Sequence, residues 1–111
     1  KIDKVNYAGL PTNPQYKFNR KHFYGFSGML SFEVKGGFAE AKKVMQKLEL
    51  IQFTVSLGDV ATLISHPASA SHVYLTPEER LAIGVGDGLL RLSVGIELAD
   101  DLIADLEQAL E

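Results

Sequence analysis

Among the side chains of this 111-residue chain, Arg91 carries the clearest chemistry. It lies in Leu89-Leu90-Arg91-Leu92-Ser93-Val94-Gly95-Ile96, where a planar guanidinium beside the small Ser93 and Gly95 presents a fork that matches a carboxylate bidentately. An arginine on a strand also serves as a plain surface or ion-paired charge, so both readings stand at this point. Ser56-Leu57-Gly58 closes a short β-rich segment. It offers a hydroxyl beside a backbone that a ligand can approach closely, and it reads equally as a turn.

The remaining candidates point elsewhere. The histidines are His22, His66 and His72, and no carboxylate stands at a metal-ligand spacing from them, so a zinc site is not expected. His66 before Pro67 is expected to bond locally and fix its loop. Gly84, Gly86 and Gly88 have Asp87 among them and a strand rather than a helix after them, which favours a turn over a phosphate cradle. The serines lack a paired histidine and acid, so no hydrolase triad can be argued. Glu78 and Glu79 fit the electrostatics of a helix start better than general-base chemistry.

The elements that must position Arg91 follow from periodicity and punctuation. Pro11 and Pro14 exclude regular structure around Gly9–Pro14, and Asn13-Pro14 suggests an N-cap and first residue for a helix over 15–23. Met29–Val34 (MLSFEV) alternates as a strand and breaks at Lys35-Gly36-Gly37. Phe38, Ala41, Val44, Met45 and Leu48 line one face of a helix. Phe53–Leu57 reads as a strand and Ala61–Ser65 as a possible short helix ended by His66-Pro67, with loop over 66–76. Thr76-Pro77-Glu78-Glu79 is a helix start: a capping hydroxyl, proline at the first helical position, and acids at the positive end of the dipole. Leu89–Ile96 predicts a strand with Leu90, Leu92, Val94 and Ile96 toward the core and Arg91 on the other face. Asp100 and Asp101 open a last helix with Leu102, Ile103, Leu106, Ala109 and Leu110 as its stripe. Three or four short strands with helices returning over one face predict an α+β two-layer sandwich with a small, mostly antiparallel sheet. The open face of that sheet, or an edge carrying Arg91, remains for a ligand.

Composition narrows the function classes. Hydrophobic residues make up 46% and charged residues 23%, the balance of a globular domain. A net charge of -3 argues against a nucleic-acid footprint or a polybasic membrane surface. Without cysteine there is no disulfide, thiolate zinc site or cysteine nucleophile. No apolar run approaches the ~20 residues that span a bilayer, and Lys1-Ile2-Asp3-Lys4 lacks the apolar stretch of a signal peptide, so the cytoplasm is the expected compartment.

Several stretches together resemble one known family. They are Asn6–Leu10, Gly28–Gly37, Val55–Asp59, His66–Ser69, Thr76–Arg80 and Gly88–Glu97, spread over nearly the whole chain. The chain resembles the C-terminal domain of the pyridoxal 5'-phosphate (PLP)-dependent enzymes of cysteine and methionine metabolism. The resemblance implies a C-terminal domain of a fold-type I enzyme over residues 1–111, with the large coenzyme-binding domain outside this chain. It implies that Arg91 holds the α-carboxylate of an amino-acid substrate, with Ser56 and Leu57 beside it. The coenzyme is expected in the full-length enzyme and not on this fragment, because none of the eight lysines sits in the family's coenzyme-lysine context. The fragment alone is then expected to be inactive.

Val55 and Asp59 stand where members acting on cystathionine tend to carry an acidic residue and a second glycine. The pattern is therefore more similar to methionine γ-lyases, which convert L-methionine to methanethiol, 2-oxobutanoate and ammonia. Cystathionine γ-lyase, cystathionine γ-synthase and O-acetylhomoserine sulfhydrylase remain alternatives, as does a non-catalytic stand-alone ligand-binding module. Ala70, Ser71 and Ala8 depart from residues frequent in relatives and bear on substrate identity rather than on Arg91 or Ser56. The implied partners are a sulfur-containing amino acid, the chain's own large domain, and further copies in a homo-oligomer, a tetramer in full-length relatives.

Overall fold

The computed structural model describes residues 1–111. In chain order the elements are β1 (Ile2–Asn6), α1 (Tyr16–His22), β2 (Met29–Val34), α2 (Gly37–Lys47), β3 (Gln52–Phe53), β4 (Leu63–Ser65), α3 (Pro77–Ala82), β5 (Leu89–Ser93) and α4 (Ala99–Leu110). The strands form one sheet in the order β1-β2-β5-β4-β3. Only the β3–β4 pair is parallel; the other three pairs are antiparallel. The α+β sandwich with a mostly antiparallel sheet is thus the observed architecture.

One face of the sheet carries the core. Phe32 and Val34 from β2, Ile64 from β4, and Leu90 and Leu92 from β5 pack against Ala41, Val44, Leu102 and Ala109 of α2 and α4. Each large aliphatic side chain moved from water into such a layer contributes about 1.5–3 kcal/mol. The period-2 alternation of β5 sends Leu90 and Leu92 into this layer and Arg91 to the opposite face.

Several expectations need correction. The sheet has five strands, because Ile2–Asn6 pairs with β2 although its middle residues are exposed and carry no alternating stripe. Ala61–Ser65 supplies strand β4 rather than a helix, since Leu63, Ile64 and Ser65 are buried between β5 and β3 and tertiary pairing overrides local preference. The strand expected over Phe53–Leu57 ends at Phe53: its partner β4 gives way at Pro67 to a 3₁₀ turn, so Val55, Ser56 and Leu57 find no ladder and form an exposed loop. β5 likewise stops at Ser93, leaving Val94 and Ile96 exposed, and Ile103 lies off the buried stripe of α4. Arg91 stands on the central strand of the sheet, not on an edge.

Local capping agrees with the sequence in detail at α3, where Thr76 and Glu79 form a reciprocal capping box. At α1 the expected cap shifts. Asn13 Oδ1 accepts the Gln15 N–H at 2.9 Å, so Asn13-Pro14 makes a turn and the helix begins after Gln15. A carboxylate closes the other end of the core. Asp105 of α4 is buried and accepts the N–H groups of Glu49, Leu50 and Ile51 at 2.8, 3.0 and 2.8 Å, tying the α2–β3 connection to the last helix.

Candidate functional site

On the face opposite the helices, register places polar side chains in one row across four strands. Asn6 pairs with Ser31, Ser31 with Arg91, and Arg91 with Ser65. Residues directly opposite in antiparallel pairs share a face and lie within side-chain reach. Two short hydroxyl side chains thus flank the one long cation and leave its guanidinium room to extend.

Arg91 leans toward the loop after β3. Its Nη2 donates to the carbonyls of Ser56 and Val55 at 3.1 and 3.3 Å. The Nε is buried without a partner. No carboxylate compensates this cation: the ion pairs of the chain are Lys43–Glu40 and Arg80–Asp87. A depression of about 240 Å³ on this face is lined by Asn6, Met29, Leu30, Ser31 and Arg91. An arginine bonded only to carbonyls retains its full charge and free donors for an anion.

The Ser56 loop is fastened at several points to the chain after Arg91. The Gly58 N–H donates to Ser93 Oγ at 2.9 Å. Gly58 has φ +71°, the left-handed region glycine enters without strain. The Thr62 hydroxyl accepts the Gly95 N–H at 2.8 Å and donates to Glu97, whose carboxylate also takes the Thr62 N–H, both at 2.7 Å. The Thr62 hydroxyl, then its backbone N–H, hold the Glu97 carboxyl below the ordinary glutamate value. Gly95 is required by close approach, because a Cβ there would lie 2.2 Å from the Val60 carbonyl.

Of the residues expected to act, the structure therefore brings Arg91 and Ser56 together through the serine carbonyl, with Leu57 exposed on the same loop. His66 belongs to a different arrangement. It is buried, its Nε2–H donates to the Asp87 carbonyl at 2.7 Å, and its Nδ1 accepts from the Ser69 hydroxyl and N–H at 2.8 and 3.2 Å. That set of partners fixes the ring and the loop, as its place before Pro67 suggests. No local pattern in the sequence marks Asn6, Ser65, Thr62 or Glu97 for this site. The alternation of MLSFEV puts Ser31 off the apolar stripe, but only register sets it against Arg91.

All eight lysines are exposed.

Comparison with known proteins bears on this site. Residues 1–111 match the family described as Cys/Met metabolism PLP-dependent enzyme. An L-methionine gamma-lyase of Fusobacterium nucleatum subsp. nucleatum is 52% identical over 111 residues, covering 100% of this chain and 28% of that protein. A solved cystathionine gamma synthase from Xanthomonas oryzae pv. oryzae, in complex with cystathionine, superimposes with a TM-score of 0.90 at 43% identity, over 98% of this chain and 28% of its own. An O-acetylhomoserine (thiol)-lyase structure from Campylobacter jejuni subsp. jejuni, containing N'-pyridoxyl-lysine-5'-monophosphate, gives 0.91 at 42% identity over 98% of this chain and 26% of its own. The chain thus spans between 26% and 28% of the length of these relatives.

Proposed function

The chain belongs to the Cys/Met metabolism PLP-dependent enzymes, and from that premise we propose that it is the C-terminal domain of a carbon–sulfur lyase and supplies the α-carboxylate site for L-methionine. The observation that carries this reading is the uncompensated Arg91 guanidinium on the open sheet face, bonded to two carbonyls and to no carboxylate.

Pyridoxal phosphate supplies the electron-withdrawing ring on which the family's chemistry runs. The residues of this chain do not fit as its covalent holder, since every lysine is exposed, and the large domain of the full-length enzyme takes that part. The 111-residue chain by itself is accordingly inactive. What its own residues do is bind and orient. Two donors of Arg91 take the carboxylate oxygens, and the loop carbonyls hold the guanidinium in place as they do so. A fixed carboxylate sets the direction of the Cα–H bond, which converts loose encounter into a reactive geometry. Ser56 stands at the edge of the bound anion, and Leu57 forms part of the wall.

The substrate side chain is addressed by the same loop. Val55 and Leu57 are 64% and 56% exposed, so apolar surface flanks the carbonyls that grip Arg91. Such a wall suits a methyl thioether, whereas a substrate with a charged distal end gains nothing from it. This favours L-methionine over cystathionine. The full-length enzyme resembles its relatives in acting as a homo-oligomer in this proposal.

The test is steady-state turnover of the full-length holoenzyme with L-methionine, L-cystathionine and O-acetyl-L-homoserine, in wild type and Arg91→Ala. Methanethiol release from L-methionine as the preferred reaction, with kcat/KM at least ~100-fold lower in the variant, is the expected result. An unchanged kcat/KM in Arg91→Ala overturns the carboxylate assignment, and preference for another substrate overturns the methionine reading.

A further inference from the structure

We propose that Ser31 is a second donor to the substrate carboxylate, with Asn6 as the residue that directs its proton. The inference rests on the carboxylate reading of Arg91 and extends it to the neighbouring strands.

The argument is one of unmatched donors. A hydroxyl has one proton to give and two lone pairs to fill. Ser31 Oγ accepts the Asn6 Nδ2–H at 3.1 Å, so one lone pair is occupied and its own proton is left over. Across the β2–β5 pair its register partner is Arg91, and a guanidinium has donors only. Asn6 turns its Nδ2, not its Oδ1, toward Ser31, and Arg91 has no acceptor, so in this arrangement neither neighbour takes the hydroxyl proton. What fits between them is an oxygen that only accepts.

The surface has the shape for such an oxygen. Asn6, Ser31 and Arg91 line one depression of about 240 Å³, whose other walls are Met29 and Leu30. On its far side Arg91 is already held by the Val55 and Ser56 carbonyls. Arg91 Nη1 bonds nothing in the chain, and Arg91 and Ser31 thus both bring an unused donor to the residues that line this depression. A carboxylate has about four lone-pair positions and accepts all of these bonds without desolvating an unpaired group. The Asn6 amide acts through Ser31: by donating to Oγ it leaves the proton no role within the chain, and it is a positioning residue.

The experiment uses the full-length holoenzyme and two probes, L-methionine as substrate and 3-(methylthio)propylamine, which lacks the carboxyl group and so any acceptor oxygen, as competitive inhibitor. Ser31→Ala is expected to raise KM for L-methionine about tenfold with kcat within about twofold of wild type, a loss equivalent to ~1.4 kcal/mol of binding. The inhibition constant of 3-(methylthio)propylamine and the melting temperature stay at their wild-type values. Ser31→Thr, which keeps the hydroxyl on a β-favouring residue, restores KM, and Asn6→Ala gives a smaller rise of the same selectivity. If Ser31→Ala matches wild type while Arg91→Ala loses affinity for L-methionine, the Ser31 assignment is wrong and the carboxylate reading stands. If Ser31→Ala weakens both probes equally, or lowers the melting temperature, the role is structural and the proposal fails. If Arg91→Ala itself leaves KM unchanged, the carboxylate reading fails and this inference falls with it.

Discussion

The Gly58 N–H donates to the Ser93 hydroxyl at 2.9 Å, so the strand that carries Arg91 also fastens the loop that carries Ser56. The two sides of the site are therefore set by one element. Arg91 reaches the loop through the Val55 and Ser56 carbonyls, and two residues further along the same strand Ser93 holds it from the other end. Removing the Ser93 hydroxyl should loosen the Ser56 loop without touching the guanidinium. In the full-length enzyme Ser93→Ala is expected to lower kcat/KM for L-methionine about tenfold while changing stability by only ~1 kcal/mol, the net value of one hydrogen bond. Steady-state kinetics alongside thermal unfolding separate the two effects, and a stability loss without a kinetic one would refute the fastening role.

Arg91→Lys keeps a positive charge and loses the planar fork. Lysine cannot satisfy two loop carbonyls and two carboxylate oxygens with its compact ammonium, so kcat/KM should fall between wild type and Arg91→Ala, at roughly 10- to 30-fold below wild type. If lysine serves as well as arginine, bidentate geometry is not what the site uses.

The buried Asp105 predicts a pH dependence of stability. Burial raises its pKa, but the N–H groups of Glu49 and Ile51, the Gln108 side chain and the Leu50 N–H together outweigh burial and leave the carboxyl below its ordinary value. A folded pKa below the unfolded one means that the unfolded chain binds the proton more readily. The stabilisation is therefore complete above about pH 4 and is lost as pH falls through the folded value. Asp105→Asn removes the charge that three backbone donors share and should cost roughly 2–4 kcal/mol at neutral pH. Urea unfolding of both proteins from pH 7 to pH 2 should show the gap between them closing in acid; a gap independent of pH would exclude the carboxylate as its source.

Two glycines near the site should respond differently to alanine. At Gly95 a Cβ would meet the Val60 carbonyl at 2.2 Å and the Ala61 and Thr62 backbones at 2.6 and 2.7 Å, and backbone atoms cannot step aside singly. Gly95→Ala should therefore displace the 58–62 segment, destabilise the chain by several kcal/mol and depress activity. At Gly58 the space is open and the cost is the positive φ alone, about 1–2 kcal/mol. Equal effects of the two substitutions in unfolding experiments would contradict this division.

Val60, Ile96 and Leu98 are 67%, 83% and 74% exposed, and the Ile96 N–H bonds to the Val60 carbonyl, which brings the 60 and 96 segments side by side. Exposed apolar surface of this kind marks contact with another protein surface. The 111-residue chain alone is expected to self-associate in sedimentation at high concentration, and Val60→Ser with Ile96→Ser should reduce that association. A strictly monomeric chain would speak against a covered patch.

Helices and the inner face of the sheet were the most legible parts of the sequence. The stripe Ala41, Val44 and the alternation Phe32, Val34 and Leu90, Leu92 predict the buried faces because period 3.6 and period 2 are local properties of the backbone. The Thr76 capping box was legible for the same reason, since its partners are three residues apart. Arg91 was legible as a side chain off the core stripe. Residues 61–65 misled because β4 exists only through its neighbours on both sides, and Ile2–Asn6 was silent because an outer strand with exposed side chains leaves no hydrophobic period.

The sequence by itself determined the fold class, through local periodicity, and the family, through the motifs spread along the chain that carry the resemblance. Tertiary structure alone decided that Arg91 stands on the central strand between Ser31 and Ser65, that its guanidinium is held by two loop carbonyls, and that Ser93, Thr62 and Gly95 fix that loop. Those relationships join residues 26 to 60 positions apart. Register is chosen by which whole faces become buried, a property no local stretch of sequence contains.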